Sequence, residues 1–154
     1  METAAEAYDR LVLESFGICV LAFMVIVALH LAGLHVCLRE FQRRFHIRDA
    51  ATLPFYKTMV IILSAMMLLF GLHMLTNFAW GYFIDLMGAT PDFRQGIYYS
   101  LENYTGLGLT RVDVADRWRM LAPMISLSGV FCLSWSTAVL VSFFNKIYSV
   151  KIHG

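Results

Sequence analysis

The sequence predicts an all-α integral membrane protein with three transmembrane helices. Of its 154 residues, 59% are hydrophobic and 15% are charged, whereas soluble domains carry about 25% charged residues. The charged residues also cluster between three long apolar runs. A helix that crosses a bilayer needs about 20 predominantly apolar residues, and each run is long enough to supply them.

The first predicted transmembrane helix covers about residues 15–38, and the second covers about residues 56–86. The residues that precede the first helix are acidic, with four Asp or Glu side chains against one Arg. A secretory signal peptide begins instead with a positively charged region. We therefore expect the first helix to be a membrane span and not a cleaved signal.

The third predicted transmembrane helix covers about residues 119–148. Cytoplasmic loops of membrane proteins are enriched in Lys and Arg. The sequence therefore predicts an external N-terminus, a cytoplasmic 39–57 loop, an external 87–118 segment and a cytoplasmic C-terminus. The basic residues of the 39–57 loop are Arg39, Arg43, Arg44, Arg48 and Lys57.

A short helix is predicted between the second and third spans, over about residues 92–103. Thr90 is a suitable N-cap, Pro91 suits the first helical position, and Asp92 complements the positive end of the helix dipole. Three turns are too few to cross a bilayer, and two glycines then end the helix. If this segment dips into the membrane, its non-helical backbone must be buried in protein or line water. Several copies of the chain around an axis would provide both environments.

Residues 98–111 read YYSLENYTGLGLTR, and Trp118 follows. This segment resembles the pore region of tetrameric potassium channels of the bacterial two-helix type. In that family, the pore helix contains two aromatic residues followed by Ser, a hydrophobic residue and Glu. This helix leads into a filter with the sequence Thr-Thr-Val-Gly-Tyr-Gly-Asp, and a Trp starts the inner helix. The match covers about residues 91–148 without a gap and aligns Tyr98, Tyr99, Ser100, Leu101, Glu102, Thr105, Gly106, Leu107, Gly108, Leu109, Thr110, Arg111 and Trp118.

The resemblance implies a homotetrameric pore with a re-entrant pore helix and a filter loop. Residues 1–57 would form an N-terminal tail, a peripheral transmembrane helix and the Arg-rich loop, and residues 58–154 would form the pore domain. The implied function is a passive cation channel in the bacterial inner (plasma) membrane, with potassium as the permeant ion and no tightly bound cofactor. Its partners would be further copies of the chain and membrane lipid.

The expected ion pathway consists of backbone carbonyls of the filter loop, which replace the hydration shell of the ion. Glu102, Arg111 and Trp118 are expected to support that loop. Five residues of the third span follow helical spacing and predict a cavity face, and Gly129 beside them is either a gating hinge or a packing glycine. The pathway residues are Thr105, Gly106, Leu107, Gly108, Leu109 and Thr110, and the cavity residues are Ser126, Val130, Leu133, Thr137 and Val141.

The sequence departs from the family where ion selectivity is made. Thr110 replaces the second filter glycine and Leu109 replaces the tyrosine, while Gly106 and Leu107 replace the Thr-Val pair. A second register aligns Gly106-Leu107-Gly108 with Gly-Tyr-Gly, but it loses the spacing of the Glu and the Trp. The departures predict weak selectivity among monovalent cations, or a filter that no longer conducts.

Arg111 occupies the position of the filter aspartate that pairs with the glutamate in the family. We predict that Glu102 and Arg111 form an ion pair, because an acidic group inside a membrane needs a partner and Arg binds carboxylates with two parallel hydrogen bonds. The alternative is that Arg111 points into water at the pore mouth.

Two other function classes remain open at this point. One is a structural or accessory membrane subunit that keeps the channel scaffold without conducting. The other is a haem-binding subunit, since two membrane histidines can ligate haem. His30 and His35 lie on different faces of one helix and cannot bind the same haem together, so His73 would have to be one of the two ligands. Asn77, Thr76 and Asp85 are expected to contact the pore loop.

The sequence gives no reason to expect an enzyme, a metal centre or a nucleic-acid partner. It contains no nucleophile–base constellation or phosphate-binding loop, and its net charge is +1. The three cysteines lie in apolar runs without a CxxC pattern, so buried reduced thiols are expected. These cysteines are Cys19, Cys37 and Cys132.

Overall fold

The computed structural model describes residues 4–44, 54–109 and 111–153. Within these ranges the secondary structure is entirely helical. Helix α1 is Ala4–Arg44, α2 is Phe55–Leu86, α3 is Phe93–Tyr104 and α4 is Leu121–His153, and a short 3-10 helix, Asp116–Trp118, precedes α4.

Three helical stretches are long and apolar enough to cross a membrane, namely Arg10–Arg43, Phe55–Leu86 and Asp116–Asn145. The prediction of three spans is therefore confirmed. Helix α1 is longer than the predicted 15–38 span because the helix continues into the polar residues on both sides, and Glu, Arg and Gln are good helix formers.

The chain divides into two compact units. The first comprises Met1–Leu29 and Leu75–Phe131, and the second comprises His30–Met74 and Cys132–Gly154. The largest fully buried side chains of the first unit are Trp80, Ile84, Leu121 and Ile125. A hydrophobic cluster in the second unit contains Phe41, Ile61, Ile62, Ala65, Phe143 and Phe144.

Helix α2 ends in a glycine turn that leads the chain into α3. Gly88 has φ +58°, its N–H donates to the carbonyl of Asp85 at 2.9 Å, and the N–H of Ala89 donates to the carbonyl of Ile84 at 3.1 Å. These are the two hydrogen bonds of a Schellman motif, in which glycine takes the left-handed position at no steric cost.

Helix α3 begins after an N-cap residue that differs from the predicted one. Thr90 was the expected cap, but Asp92 has extended backbone angles and accepts a hydrogen bond from the N–H of Gln95. The hydroxyl of Thr90 instead donates to the carbonyl of Asp92 at 3.2 Å. The short carboxylate of Asp92 reaches the third N–H of the helix, which is the usual partner of an N-cap side chain.

Candidate functional site

The short helix α3 is held in the first unit along one of its faces. Its buried residues are Gly96, Tyr99, Ser100, Asn103 and Tyr104, which recur with the three- and four-residue spacing of a helix face. Tyr98, on another face, is 57% exposed. Burial raises the pKa of Tyr99, although a hydrogen bond with the backbone of Ala122 opposes this change, so Tyr99 remains a neutral phenol.

The N-terminus of α3 carries an electrostatic cap. One carboxylate oxygen of Asp92 accepts from the Gln95 N–H at 2.8 Å, and the other accepts from the Gln95 side-chain amide at 3.1 Å. The hydrogen bond from the Gln95 backbone lowers the pKa of Asp92 below its ordinary value. The ionised carboxylate also faces the positive end of the helix dipole.

Two glycines allow α3 to approach α2 closely. A Cβ atom on Gly81 would lie 2.7 Å from Cγ1 and 3.2 Å from Cα of Ile97, and one on Gly96 would lie 3.1 Å from the carbonyl oxygen of Gly81. Small residues at a helix crossing let backbones meet in this way. Beside the crossing, the Ser100 hydroxyl donates to the side-chain oxygen of Asn77 at 2.9 Å.

Helix α4 holds the C-terminal end of α3. A Cβ atom on Gly129 would overlap the carbonyl oxygen of Tyr104 and lie 2.9 Å from its carbonyl carbon. The hydroxyl of Ser126 donates to the carbonyl of Asn103 at 2.9 Å. A serine and a glycine of α4 therefore position the last turn of α3, and Gly129 has the packing role that the sequence left open.

Helices α2 and α4 are also joined directly in this unit. The indole N–H of Trp80 donates to the hydroxyl of Ser128 at 2.9 Å, and that hydroxyl donates to the carbonyl of Ile125 at 2.7 Å. Trp80 and Ser128 are fully buried. Buried polar groups that are satisfied in this way fix the relative register of two apolar helices.

The glycine loop begins with a second Schellman motif. Gly106 has φ +76°, its N–H donates to the carbonyl of Asn103 at 3.0 Å, and the N–H of Leu107 donates to the carbonyl of Glu102 at 2.9 Å. The N–H of Gly108, which has φ +61°, also approaches the carbonyl of Glu102, at 3.2 Å. Gly106 therefore terminates the helix, and the extended chain starts one or two residues later.

The residues from 105 to 109 are all exposed in the single chain. Leu107 is 65% exposed and Leu109 is 74% exposed. The Thr105 hydroxyl donates back to the carbonyl of Leu101 at 2.8 Å. Thr110, the last predicted pathway residue, lies outside the described residues.

The predicted support residues have different environments. Trp118 is 4% exposed, and the Arg117 guanidinium lies 5.3 Å from its ring centroid. Glu102 is half-buried and Arg111 is exposed. Arg43 pairs with Glu40, and Arg119 pairs with Asp116, whereas the Glu102–Arg111 pair stays a prediction.

The predicted cavity residues divide into two groups. Val130, Leu133, Thr137 and Val141 are exposed in the single chain, and their role as a cavity face stays a prediction. Ser126 is half-buried and, like Gly129, is used to hold α3. Asn77 accepts a hydrogen bond from Ser100 of α3, and Asp85 is exposed.

The histidines of the second unit form one close pair. The ring centroids of His30 and His73 are 4.9 Å apart, and His35 is exposed. A haem held by both imidazoles would require the two rings to move apart, and the haem-binding subunit stays a hypothesis. No group of three or more potential metal ligands was found among the described residues, and the three cysteines are free thiols.

No family model, curated protein or solved structure matches this chain. Sequence reasoning missed the roles of Gly81 and Gly96, which let α3 approach α2, and of Trp80 and Ser128, which join α2 to α4. The presence of Gly81 and Gly96 inside helical segments could have indicated these contacts. Glycine lowers helix stability, and small residues at a helix crossing let two backbones approach closely.

Proposed function

We propose that this chain is a passive cation channel, assembled as a homotetramer, in which α3 is a re-entrant pore helix. Potassium is the main permeant ion, and selectivity among monovalent cations is weak. The observation that carries the proposal is that the 12-residue helix α3 packs against both α2 and α4 and is followed directly by the exposed glycine loop.

The length of α3 supports this role. Twelve residues of α-helix measure about 18 Å, against a hydrocarbon core of about 30 Å. The helix cannot span, yet hydrogen bonds and glycine contacts tie it to both α2 and α4. A helix of this kind, placed between two spans, suits a segment that enters and leaves the membrane on the same side.

The electrostatics of α3 also support a cation site. The C-terminal end of a helix carries a partial negative charge of about half an electron. Here that end is next to the exposed residues 105–109. Four such ends around one axis would attract a cation to the loop and disfavour an anion.

The conformation of the loop bears on selectivity. Gly106 stands where the family has its second threonine, and its N–H and that of Leu107 are used to cap α3. The Tyr and the second Gly of the family filter are Leu109 and Thr110. We therefore expect fewer ordered carbonyl rings than in a potassium-selective filter, and weaker discrimination between potassium and sodium.

The exposed side chains of Leu107 and Leu109 favour a second candidate. If both pointed to a shared axis, they would form an apolar constriction that stays dry. The protein would then be a non-conducting membrane subunit built on a channel scaffold. The two candidates differ in flux and not in assembly.

The test is ion flux from vesicles that contain the purified full-length protein. The expected result is dissipation of a potassium gradient, with a moderately lower rate for a sodium gradient and none for chloride. Gly108→Ala should reduce the flux strongly, because φ +61° disfavours a side chain. Gly71→Ala is the matched control, since a Cβ there would meet nothing within 4 Å.

Assembly is measured on the same sample by chemical cross-linking. Tetramers with flux support the channel, and tetramers without flux at any gradient support the non-conducting subunit. A monomer without flux would contradict both proposals.

A further inference from the structure

Three polar side chains come together inside the second unit, one from each long helix. His30 of α1 is 1% exposed and Ser136 of α4 is 4% exposed, and His73 of α2 is half-buried. His30 Nε2 lies 3.4 Å from the Ser136 hydroxyl. The imidazole rings of His30 and His73 are 4.9 Å apart between centroids, with an interplanar angle of 37°.

Close packing holds the cluster together. Gly33, one turn after His30, lies so close to Leu72 that a Cβ atom there would overlap the leucine Cδ1. On α4, the fully buried Cys132 lies one turn before Ser136 and on the same face. His30 is therefore enclosed beside α2 and α4, and the half-buried His73 packs against it.

The surroundings of the imidazoles are uncharged. The sequence has no Asp, Glu, Lys or Arg at residues 15–38, 58–84 or 120–145. The titratable groups that face His30 are His73 from α2 and, by helical spacing, Cys132 from α4. The nearest charged residues along the three helices are Arg39, Asp85 and Lys146.

Neutral imidazoles suit this environment and an imidazolium does not. A neutral ring has one donor and one acceptor nitrogen, so it can pair with a hydroxyl and a second ring. A charged ring without a carboxylate partner is costly in an apolar interior. A second proton would add repulsion between two cations at contact distance.

We propose that His30, His73 and Ser136 form a proton-sensitive clasp that fastens α1 to α2 and α4. In the neutral state the clasp is closed. When a proton binds the acceptor nitrogen of either imidazole, a new N–H bond forms and a positive charge appears in an apolar interior. The charge is relieved when α1 separates from the other two helices and water reaches the rings. This inference does not depend on whether the protein conducts.

The test is thermal unfolding of the full-length protein in detergent between about pH 8 and pH 5, which brackets the protonation of an imidazole in water at about pH 6.5. Separated helices expose the imidazoles and bind protons more readily than the closed clasp, so acid must lower the melting temperature of the wild type. The double variant His30→Gln, His73→Gln keeps polar amides without titrating, and its melting temperature should fall about 5 °C less over the same range.

His35→Gln is the matched control, because His35 is an exposed histidine of the same helix. It should follow the wild type at every pH. Parallel curves for the wild type and the double variant would overturn the clasp. So would a control that loses the acid response.

A second measurement covers the case in which the double variant does not fold. Nitrogen NMR of histidine-labelled wild type reports the protonation of each ring. Two imidazoles that stay neutral at about pH 6, where a histidine in water is largely protonated, support the clasp. Titration of all histidines together, as in water, would rule it out.

Discussion

The α-carbon of Gly129 packs directly against the backbone carbonyl of Tyr104. This contact joins the middle of α4 to the last turn of the short helix that we propose as the pore helix. It leaves no space for even a methyl group between the two backbones. The position of the glycine loop, which follows Tyr104, therefore depends on this one missing side chain.

Replacement of Gly129 by Ala should move or detach the C-terminal end of α3. The added Cβ would overlap the Tyr104 carbonyl, and overpacking of this kind costs about 1–3 kcal/mol. Thermal unfolding in detergent measures the loss. Gly17→Ala is the control, because a Cβ on Gly17 meets nothing within 4 Å; equal stability of the two variants would contradict the contact.

Gly106→Ala should destabilise the end of α3 by about 1–2 kcal/mol, because a left-handed conformation is unfavourable for a residue with a Cβ atom. Gly106→Asn should cost less, since Asn tolerates this conformation better than most residues. The measurement is the denaturation midpoint of both variants. A Gly106→Asn protein no more stable than Gly106→Ala would show that φ is not the reason for the glycine.

Acid should loosen the first turn of α3 through Asp92. The Gln95 N–H lowers the pKa of this carboxyl in the folded protein, so the cap is fully stabilising above the ordinary Asp pKa of about 3.9. Its contribution is lost as the pH falls from that value through the lower folded pKa. Hydrogen exchange of the first turn, corrected for the intrinsic rate at each pH, follows the change. Asp92→Asn caps without titrating and should remove this acid response.

The Glu102–Arg111 ion pair is tested with a double-mutant cycle. If the pair forms, Glu102→Gln and Arg111→Gln should each destabilise the assembled protein, and the double variant should lose less than the sum of the two. Tetramer dissociation on heating and ion flux are the two readouts. Additive effects in both would mean that the side chains act independently and that Arg111 faces water.

The sequence predicted the helical elements well because they depend on local properties. Long apolar runs and clustered charges placed all three spans, and the end of α2 at Leu86 was as predicted. The predicted 92–103 helix is shifted by one residue, because the choice between Thr90 and Asp92 as the cap depends on which side chain reaches the Gln95 N–H. Both residue types are good caps, so composition alone does not separate them.

The contacts that position α3 were harder to predict. Asn77 is predicted to contact the pore loop, and in the structure its side-chain oxygen accepts a hydrogen bond from Ser100 of α3, 23 positions further along the chain. Trp80 reaches Ser128 over 48 positions of the chain, and no local pattern encodes a pair so distant. The stacking of His30 on His73 is equally non-local, since 43 positions separate residues 30 and 73.

The sequence by itself determined that three helices can cross a membrane and that a short capped helix lies between two of them, because transfer of side chains into lipid and capping of helix ends are properties of consecutive residues. Only the tertiary structure decided which glycines serve as helix ends and which as contact points. A left-handed φ at Gly106 and a backbone pressed against Gly129 look the same in a sequence. In the structure, no other atom lies within 4 Å of the position that a Cβ on Gly106 would take, whereas the carbonyl of Tyr104 occupies that position at Gly129.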